Sequence, residues 1–454
     1  MPFVPHTIDD ERIMLETIDV SSIESLFDEI PPDLRNGQLE KTPAGVSEMT
    51  MLRLMSERAA QDSLSLSFLG AGAYEHHIPS AVWDITARGE FLTAYTPYQA
   101  EASQGTLQLI YEFQTMMSRL TALDVANASV YDGATALAEA ILMAIRANKK
   151  SKSKRILCSG TVHPRYLAAC RSIVSNQQIE IEVIPSSEET GTLDVSALGS
   201  YEDQDYAGLV ISYPNFFGGL EDIDQLTDWA HAAGMLVIGV ANPMALALIK
   251  APGNWGEEGA DIAVGEAQPL GIPVSSGGPY LGYMCCRKSI VRQMPGRIIG
   301  RTVDLDGREG FALTLQAREQ HIRRAKATSN ICTNQGLLVT AASIYLSLLG
   351  DRGLQSVASR SHHNIISLIE KVSSIPGVST RFAGPVFHEV VFQLPTEAAN
   401  VLQNMSAKGI LGGYDLGQID ENLSDCMLTN TTETKTDVDL QLFVDVLKEA
   451  LVEC

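Results

Sequence analysis

The chain has 454 residues, 45% of them hydrophobic, and its formal net charge at pH 7 is −22. A chain of this length can bury a large core and is expected to fold as two or three domains. The acidic balance argues against binding to nucleic acid or to a membrane surface, because both need basic protein faces, and no run reaches the ~18 apolar residues of a membrane span.

The first 65 residues are predicted to form a helical arm. Charged residues separate its apolar positions, and the Pro31–Pro32 pair interrupts it. The apolar positions that indicate helix are Ile13, Met14, Ile18, Ile23, Leu26 and Phe27. Since such an arm has no core of its own, we expect it to wrap around another domain or another chain.

Residues 66–345 are predicted to form a large α/β domain. Near-continuous apolar runs, as buried parallel strands require, occupy residues 155–160, 207–215, 234–242 and 261–268. Between the second and third runs lies an amphipathic helix with Leu226, Trp229 and Ala230 on one face, ending at Gly234. This is a βαβ unit, and right-handed crossovers then predict a doubly wound, mostly parallel sheet.

Residues 346–454 are predicted to form a smaller C-terminal α+β domain. A long helix is expected over 354–375, followed by strands near 378–385 and 388–395 and by two more helices.

The cysteines are odd in number and scattered: Cys158, Cys170, Cys285, Cys286, Cys332, Cys426 and Cys454. None forms a C-x-x-C pair, and the start of the chain carries no visible secretion signal. Reduced thiols in the cytoplasm are therefore expected. No H-E-x-x-H pattern or Cys/His cluster predicts a metal site.

A helix start in residues 131–140, YDGATALAEA, is a candidate phosphate site. Asp132 is placed to cap the helix, and Gly133 lets backbone approach a ligand. Exposed N–H groups at such a helix start bind phosphate readily. The same residues would also make an ordinary strand-to-helix turn, and the charge of Asp132 disfavours a phosphate there, so both interpretations stay open.

Residues 93–106 form a second candidate, because hydroxyl, amide and aromatic groups are dense there. The polar residues of this segment are Thr93, Tyr95, Thr96, Tyr98, Gln99, Glu101, Ser103 and Gln104. A capped helix with a tyrosine-lined turn is the alternative. His76 and His77 are adjacent and cannot share one helix face, which disfavours a two-histidine metal site.

The stretch 261–284 has the strand–loop–strand form of a functional site but lacks reactive side chains at its loop tip. It predicts a strand, a loop of small residues and a second strand, and loops after strand ends usually carry function in α/β proteins. The loop tip, Ala267–Gln268–Pro269, offers no nucleophile, base or lysine.

Five motifs together resemble the first half of glycine decarboxylase, the P-protein of the glycine cleavage system. They are FLGAGAYEHHIP at 68–79, GEFLTAYTPYQAEASQGTLQ at 89–108, YDGATALAEA at 131–140, GEAQPLGIPVSSGGPYLGY at 265–283 and RRAKATSNICTNQ at 323–335. The resemblance covers essentially the whole chain. It implies a fold-type-I pyridoxal-phosphate (PLP) transferase architecture, and a length typical of the N-terminal chain, subunit 1, where bacteria split the enzyme in two.

PLP chemistry on this fold needs a lysine, a carboxylate against the pyridine nitrogen, phosphate donors and a stacking ring. The place of the carboxylate is taken by Val240, Ala241 and Asn242, and the lysine position corresponds to Gln268. Lys250, Lys288 and Lys326 do not stand on the strand-end loop. The resemblance therefore implies no catalytic residue in this half-site, with PLP held covalently by the partner chain.

Fold-type-I dimers build each active site from two subunits, so this chain is expected to line the partner's pocket. The candidates are His76, His77, Tyr95, Thr96, Tyr98, Ser103, Gln104, Gly105, Thr328 and Asn330. Interface packing alone is the alternative for each of them. Arg297, Arg301, Arg323 and Arg324 are candidates for anion binding, but solvated or interface ion pairs are the favoured interpretation.

The implied reaction is decarboxylation of glycine and transfer of the aminomethyl group to the lipoyl arm of the H-protein. The implied partners are the lysine-bearing subunit 2, in an α2β2 assembly, and the lipoylated H-protein. A structural or regulatory scaffold that only stabilises the PLP-bearing chain, and an independent PLP enzyme that uses Lys250 or Lys288, are the competing hypotheses.

Overall fold

The structure is a computed structural model that describes residues 5–35, 41–62 and 66–454. The chain divides into two compact units, Met1–Ser63 and Leu64–Cys454. The arm boundary predicted at residue 65 lies outside the described residues. The boundary predicted between residues 345 and 346 stays a prediction.

The first unit contains the α-helices Ile8–Thr17, Pro32–Arg35 and Glu48–Ala59. The first helix begins at Thr7, whose hydroxyl accepts from the Asp10 N–H (3.2 Å) while the Asp10 carboxylate accepts from the Thr7 N–H (2.8 Å). Within the described part of these helices no residue is buried. Whether the arm wraps another domain or chain stays a prediction.

The second unit is built on a seven-stranded sheet, which confirms the predicted α/β class. Its strands, in order across the sheet, are Val125–Ala126, Gly282–Cys286, Ile262–Glu266, Leu236–Ala241, Gly208–Tyr213, Arg155–Ser159 and Glu180–Ile184. The last five are parallel to one another, and Gly282–Cys286 runs antiparallel to both of its neighbours. All four predicted apolar runs are strands of this sheet.

Helices cover both faces of the sheet because alternate strand residues point to opposite sides. Cys158 and Val210 pack in the same core as the helix Gly133–Ala147, whereas Leu157 and Leu209 pack with the helix Ile223–Ala232. The latter helix begins at Asp222, and Gly234 lies just beyond its end with φ +78°. The doubly wound arrangement is thereby confirmed.

The remaining helices and strands complete this unit. The helices are Ser80–Thr86, Gly89–Leu92, Gln104–Thr121, Pro164–Val174, Gln320–Arg323, Gly336–Val372, Ala398–Ala407 and Asp437–Val452. Leu66–Ser67 pairs in parallel with Ile410–Leu411, and Ile298–Val303 forms an antiparallel hairpin with Glu309–Thr314.

An antiparallel four-stranded sheet lies in the C-terminal part of the chain. Its order is Ser379–Thr380, Glu389–Gln393, Cys426–Asn430 and Tyr414–Asp415. The two predicted C-terminal helices pack with it through Val401, Leu440 and Phe443. The central strand Cys426–Asn430 was not among the predicted elements.

The helix Gly336–Val372 is long and apolar enough to cross a membrane by length and composition alone. Half of its most apolar 18-residue window is buried inside the protein, where Leu338, Val339 and Tyr345 join the main core. Gly350, at φ +60° and ψ −169°, breaks the helical path. The packing is that of a core helix.

Candidate functional site

The carboxyl ends of the central parallel strands form one edge of the main sheet, and a cavity lies there. We call it the half-site. Its lining includes Tyr74, His163, Tyr166, Asn242, Glu266 and Glu389. The loop that follows the strand Ile262–Glu266 and the start of the helix Gly133–Ala147 meet at this edge. Polar groups therefore converge at the place where the sequence predicts the site.

Glu266 ends its strand with a buried carboxylate that accepts three backbone hydrogen bonds. Gly133 N–H donates to one oxygen (3.0 Å), and the N–H groups of Gln268 (3.0 Å) and Leu281 (2.8 Å) donate to the other. Burial raises the pKa of Glu266 to about 7, although these three N–H groups oppose the shift. Glu266 thus joins a helix start to both arms of the strand–loop–strand unit.

Gln268, at the degenerate lysine position, is 1% exposed and fully engaged. Its Oε1 accepts from Tyr74 N–H (2.9 Å), and its Nε2 donates to the carbonyl oxygens of Tyr74 (2.9 Å) and Ile272 (2.7 Å). The side chain therefore holds the segment around Tyr74 against its own loop.

Glu389 anchors the same segment from the four-stranded sheet. One carboxylate oxygen accepts from Ala71 N–H (2.7 Å) and the other from the Tyr74 hydroxyl (2.7 Å). His163 Nε2 lies 2.8 Å from Ala71 O, and the imidazole stacks on Tyr166 at a centroid distance of 5.0 Å. Burial raises the pKa of Glu389 to about 7, against the opposing effect of Tyr74. Two acids of raised pKa thus flank this cavity.

The half-site does not fit PLP. In the described part of the chain, no lysine lines its cavity. Lys250 pairs with Asp224 at 2.7 Å on the surface. At the carboxylate position Val240 is buried and apolar, and Asn242 Oδ1 accepts from Met244 N–H (2.9 Å). The residues that would link the cofactor and hold its ring are absent here.

A second cluster surrounds Arg297, and we call it the Arg297 cluster. Its members are Tyr98, Arg297, Arg318, Glu319, Thr328 and Cys332. Arg297 Nη2 donates to the Tyr98 hydroxyl (2.7 Å) and to Cys332 O (2.6 Å), and Nε lies 3.8 Å from Glu319 Oε2. Arg297 is 4% exposed, and within the described residues its Nε and Nη1 make no hydrogen bond. A buried cation with free donors suits an anion.

The structure brings some predicted site residues to this cluster. Tyr98 packs its ring against the Arg297 guanidinium at 5.0 Å, and Thr328 N–H donates to Arg318 O (3.0 Å). The Gln104 amide instead exchanges two hydrogen bonds of 2.8 Å with the backbone of Phe311. This contact ties the polar segment to the hairpin that follows Arg297.

Other predicted residues lie apart from the Arg297 cluster or show no contact with it. Tyr95 is 80% exposed, Asn330 is also exposed, and Ser103 makes no side-chain capping bond. The hydroxyl of Thr96 is buried without a partner in the described chain. Gly105 lies in the first turn of its helix.

His76 and His77 differ although they are adjacent. His76 Nδ1 lies 2.7 Å from Glu433 Oε2 and is buried, whereas the His77 side chain is exposed and only its N–H donates to Glu433 (2.7 Å). Burial acts to raise the pKa of Glu433, but His76 and the backbone N–H groups of His77 and Glu433 together hold that pKa below the ordinary value. Both histidines continue the loop that Gln268 and Glu389 anchor.

The sequence did not predict Glu266, Glu389 and Tyr74 as site residues, and for Arg297 it favoured a solvated or interface ion pair over anion binding. The burial of Arg297 makes the solvated interpretation wrong. For Glu266 a signal existed, because a lone carboxylate ends an otherwise apolar strand.

The sequence of the chain is similar to known proteins over almost its whole length. The profile of the family described as glycine cleavage system P-protein matches residues 1–447. The chain is 60% identical over 452 residues, 99% of its length and 100% of the relative's, to a probable glycine dehydrogenase (decarboxylating) subunit 1 from Alcanivorax borkumensis.

Solved structures give the same answer. The chain is similar, with a TM-score of 0.88, 39% identity and coverage of 99% and 100% of the two chains, to a glycine decarboxylase (P-protein) of the glycine cleavage system in inhibitor-bound form. A sphingosine-1-phosphate lyase of Burkholderia pseudomallei, 16% identical with a TM-score of 0.66 over 93% and 94% of the chains, shares the fold alone. The predicted fold-type-I PLP architecture is confirmed.

Proposed function

Because the chain belongs to the glycine cleavage system P-protein family, we propose that it is the subunit of glycine decarboxylase that carries no cofactor lysine. It works with a second chain that holds PLP covalently. Together they decarboxylate glycine and transfer the aminomethyl group to the lipoyl arm of the H-protein. The observation that carries the proposal is Gln268, a fully engaged amide at the position where the cofactor lysine would stand.

An amide cannot replace the amine of a lysine in forming a covalent link to PLP. The chemistry that PLP supplies, acceptance of the electrons left when carbon dioxide departs, must therefore come from the partner's site. The fold builds its active sites between subunits, and an α2β2 assembly would give each PLP-bearing chain one copy of this chain.

The contribution of this chain is proposed to come from the Arg297 cluster. Arg297 carries a buried positive charge 3.8 Å from the Glu319 carboxylate, and within the described residues its Nε and Nη1 make no hydrogen bond. The predicted residues Tyr98 and Thr328 lie beside it. A phosphate or carboxylate held by the partner would supply the missing acceptors, since charge-assisted hydrogen bonds to such groups are the strong ones. Thr328 and Tyr98 would orient that anion, and Arg297 would hold it.

The experiment is reconstitution from separately purified chains. This chain alone is expected to show no PLP absorbance band and no glycine–bicarbonate exchange, and addition of the lysine-bearing second chain is expected to give both. A second chain without its cofactor lysine serves as the control and should give no exchange. Full exchange by this chain alone would contradict the proposal.

A scaffold that only stabilises the PLP-bearing chain is the competing function, favoured by the filled half-site. The two differ at the Arg297 cluster, because a scaffold needs assembly but no anion contact. Tyr98→Phe removes only the hydroxyl that Arg297 contacts. Unchanged turnover and cofactor affinity in an intact assembly would favour the scaffold, whereas a drop in either would favour the shared site.

A further inference from the structure

The helix start that the sequence offers as a candidate phosphate site is occupied by side chains of the protein itself. The amides at the start of a helix attract anions because they have no partners within the helix. At the start of the helix Gly133–Ala147, the N–H of Gly133 donates to Glu266 (3.0 Å) and the N–H of Thr135 donates to Asp132 (2.7 Å). These contacts commit two of the helix's first three amides to side-chain carboxylates.

The contacts of Glu266 extend beyond the helix. Gln268 N–H precedes the small-residue loop and Leu281 N–H follows it, and both donate to the same carboxylate oxygen. One carboxyl group thus gathers backbone donors from a helix start and from the two arms of the loop. A bound phosphate is held in the same manner where backbone amides converge on it.

The side of Gly133 on which a Cβ would project is filled, although a cavity opens onto the helix start from another side. A Cβ placed on Gly133 would lie 2.9 Å from Glu266 N and closer still to the Tyr166 hydroxyl. Tyr166 is half-buried, lines the cavity beside the helix start and stacks on the His163 ring. The helix start, the strand end and this tyrosine are packed against one another.

We infer that Glu266 is an internal substitute for a cofactor phosphate, and that by engaging the N–H groups of Gly133, Gln268 and Leu281 it withholds these donors from phosphate-bearing ligands. The half-site thus lacks the cofactor lysine, and the protein's own carboxyl group engages its phosphate donors. A lysine restored at position 268 would therefore be insufficient for PLP binding, because the phosphate donors would remain engaged. The inference depends on contacts within this chain and holds whatever the fate of the proposed function.

Variants of the full chain test the inference. Glu266→Ala empties the position, while Glu266→Gln keeps it sterically filled and retains one oxygen that can accept from Gln268 and Leu281 N–H. Inorganic phosphate is expected to raise the Tm of Glu266→Ala and to leave the wild type, Glu266→Gln and the surface control Glu370→Ala unchanged. A phosphate-dependent rise in the wild type or in Glu266→Gln, or none in folded Glu266→Ala, would overturn the inference.

A second measurement includes one arm, the single variant Gln268→Lys, that does not require Glu266→Ala to fold. Gln268→Lys is incubated with PLP, reduced with borohydride and mapped by peptide mass spectrometry. No pyridoxyl adduct at position 268 is expected in the single variant, whereas the double variant Glu266→Ala/Gln268→Lys is expected to carry one. An adduct at position 268 in the single variant would overturn the inference. Neither measurement requires decarboxylase activity, so a failure of this inference can be distinguished from a failure of the proposed function.

Discussion

Gln268 and Tyr74 are joined by a reciprocal pair of hydrogen bonds, each 2.9 Å long, between the side-chain amide of one and the backbone of the other. The contact spans 194 positions of the chain. A lysine at this position would attach the cofactor. The Gln268 amide has a structural function instead, because it fixes the loop that leads to His76 and His77.

Replacing Gln268 by alanine should destabilise the chain strongly. The change leaves the N–H and carbonyl of Tyr74 and the carbonyl of Ile272 without their partners in a buried place. Unpaired buried polar groups of this kind predict a loss of about 2–4 kcal/mol in the free energy of unfolding. Urea denaturation followed by circular dichroism measures it.

Gln225→Ala is the matched control, because Gln225 lies exposed on the helix Ile223–Ala232. It should change the free energy of unfolding by less than about 0.5 kcal/mol. Equal effects of the two substitutions would show that Gln268 holds nothing in place.

The stability of the chain should fall as the pH rises through the raised pKa of Glu389. The carboxyl ionises at about 7 in the folded chain and at its ordinary value of 4.5 when unfolded. Between pH 4.5 and pH 7 the folded state holds a proton on Glu389 that the unfolded state has lost. The stabilisation that Glu389 contributes is therefore complete below pH 4.5 and is lost as the pH rises past 7. The gap corresponds to about 3 kcal/mol.

The measurement is the free energy of unfolding from pH 4.5 to pH 8 for the wild type and Glu389→Gln. The amide does not titrate, so the wild type should lose up to about 3 kcal/mol relative to the variant as the pH rises. Exposed Glu370→Gln is the control and should run parallel to the wild type. A difference that grows with the opposite sign would contradict the prediction.

The fold could largely be predicted because parallel strands buried on both faces are near-continuous apolar runs. The runs ending at Ala241 and Glu266 are of this kind. The strand Cys426–Asn430 was missed because its five residues include only three apolar ones, too few to give a period.

Only those parts of the site that a local sequence pattern defines could be predicted. The strand–loop–strand pattern indicates the loop tip Ala267–Gln268–Pro269, and the family resemblance assigns the lysine position within it to Gln268. Glu389, by contrast, contacts Ala71 across 318 positions, and no local pattern announces such a pairing. Arg297 was judged by its charge, and only the folded chain shows that its guanidinium is buried beside Tyr98.

Substitutions in the Arg297 cluster should weaken cofactor binding by the reconstituted enzyme. Arg297→Lys keeps the charge but loses the planar set of donors that contacts Tyr98 and Cys332 and leaves others free. If a free donor reaches the partner's phosphate, its loss should raise the Kd for PLP about 10-fold or more, since one hydrogen bond to a charged group contributes about 1.5–3 kcal/mol.

Arg301→Lys serves as the control, because Arg301 lies on the nearby hairpin with a 58% exposed side chain paired to Glu309. Its Kd for PLP should equal that of the wild type. Fluorescence titration of the apo-assembly measures both values. A stable Arg297→Lys assembly with unchanged PLP affinity would show that the guanidinium serves packing alone.

The adjacent histidines should separate structure from function. His76→Ala removes the buried contact to Glu433 at 2.7 Å, and a lost hydrogen bond to a carboxylate predicts a decrease of about 2–3 kcal/mol in the free energy of unfolding. His77→Ala leaves its backbone contact to Glu433 intact, because only the N–H is used. Its effect on stability should stay below about 0.5 kcal/mol.

The pH dependence gives this pair a second readout. The lowered pKa of Glu433 stabilises the fold above the ordinary value of 4.5, and that contribution is lost as the pH falls. His76→Ala should therefore reduce stability at pH 7 more than at pH 4, whereas His77→Ala should shift neither. If His77 reaches the partner's pocket, His77→Ala will lower exchange activity of the reconstituted enzyme at unchanged stability. Unchanged activity would restrict the shared site to the Arg297 cluster.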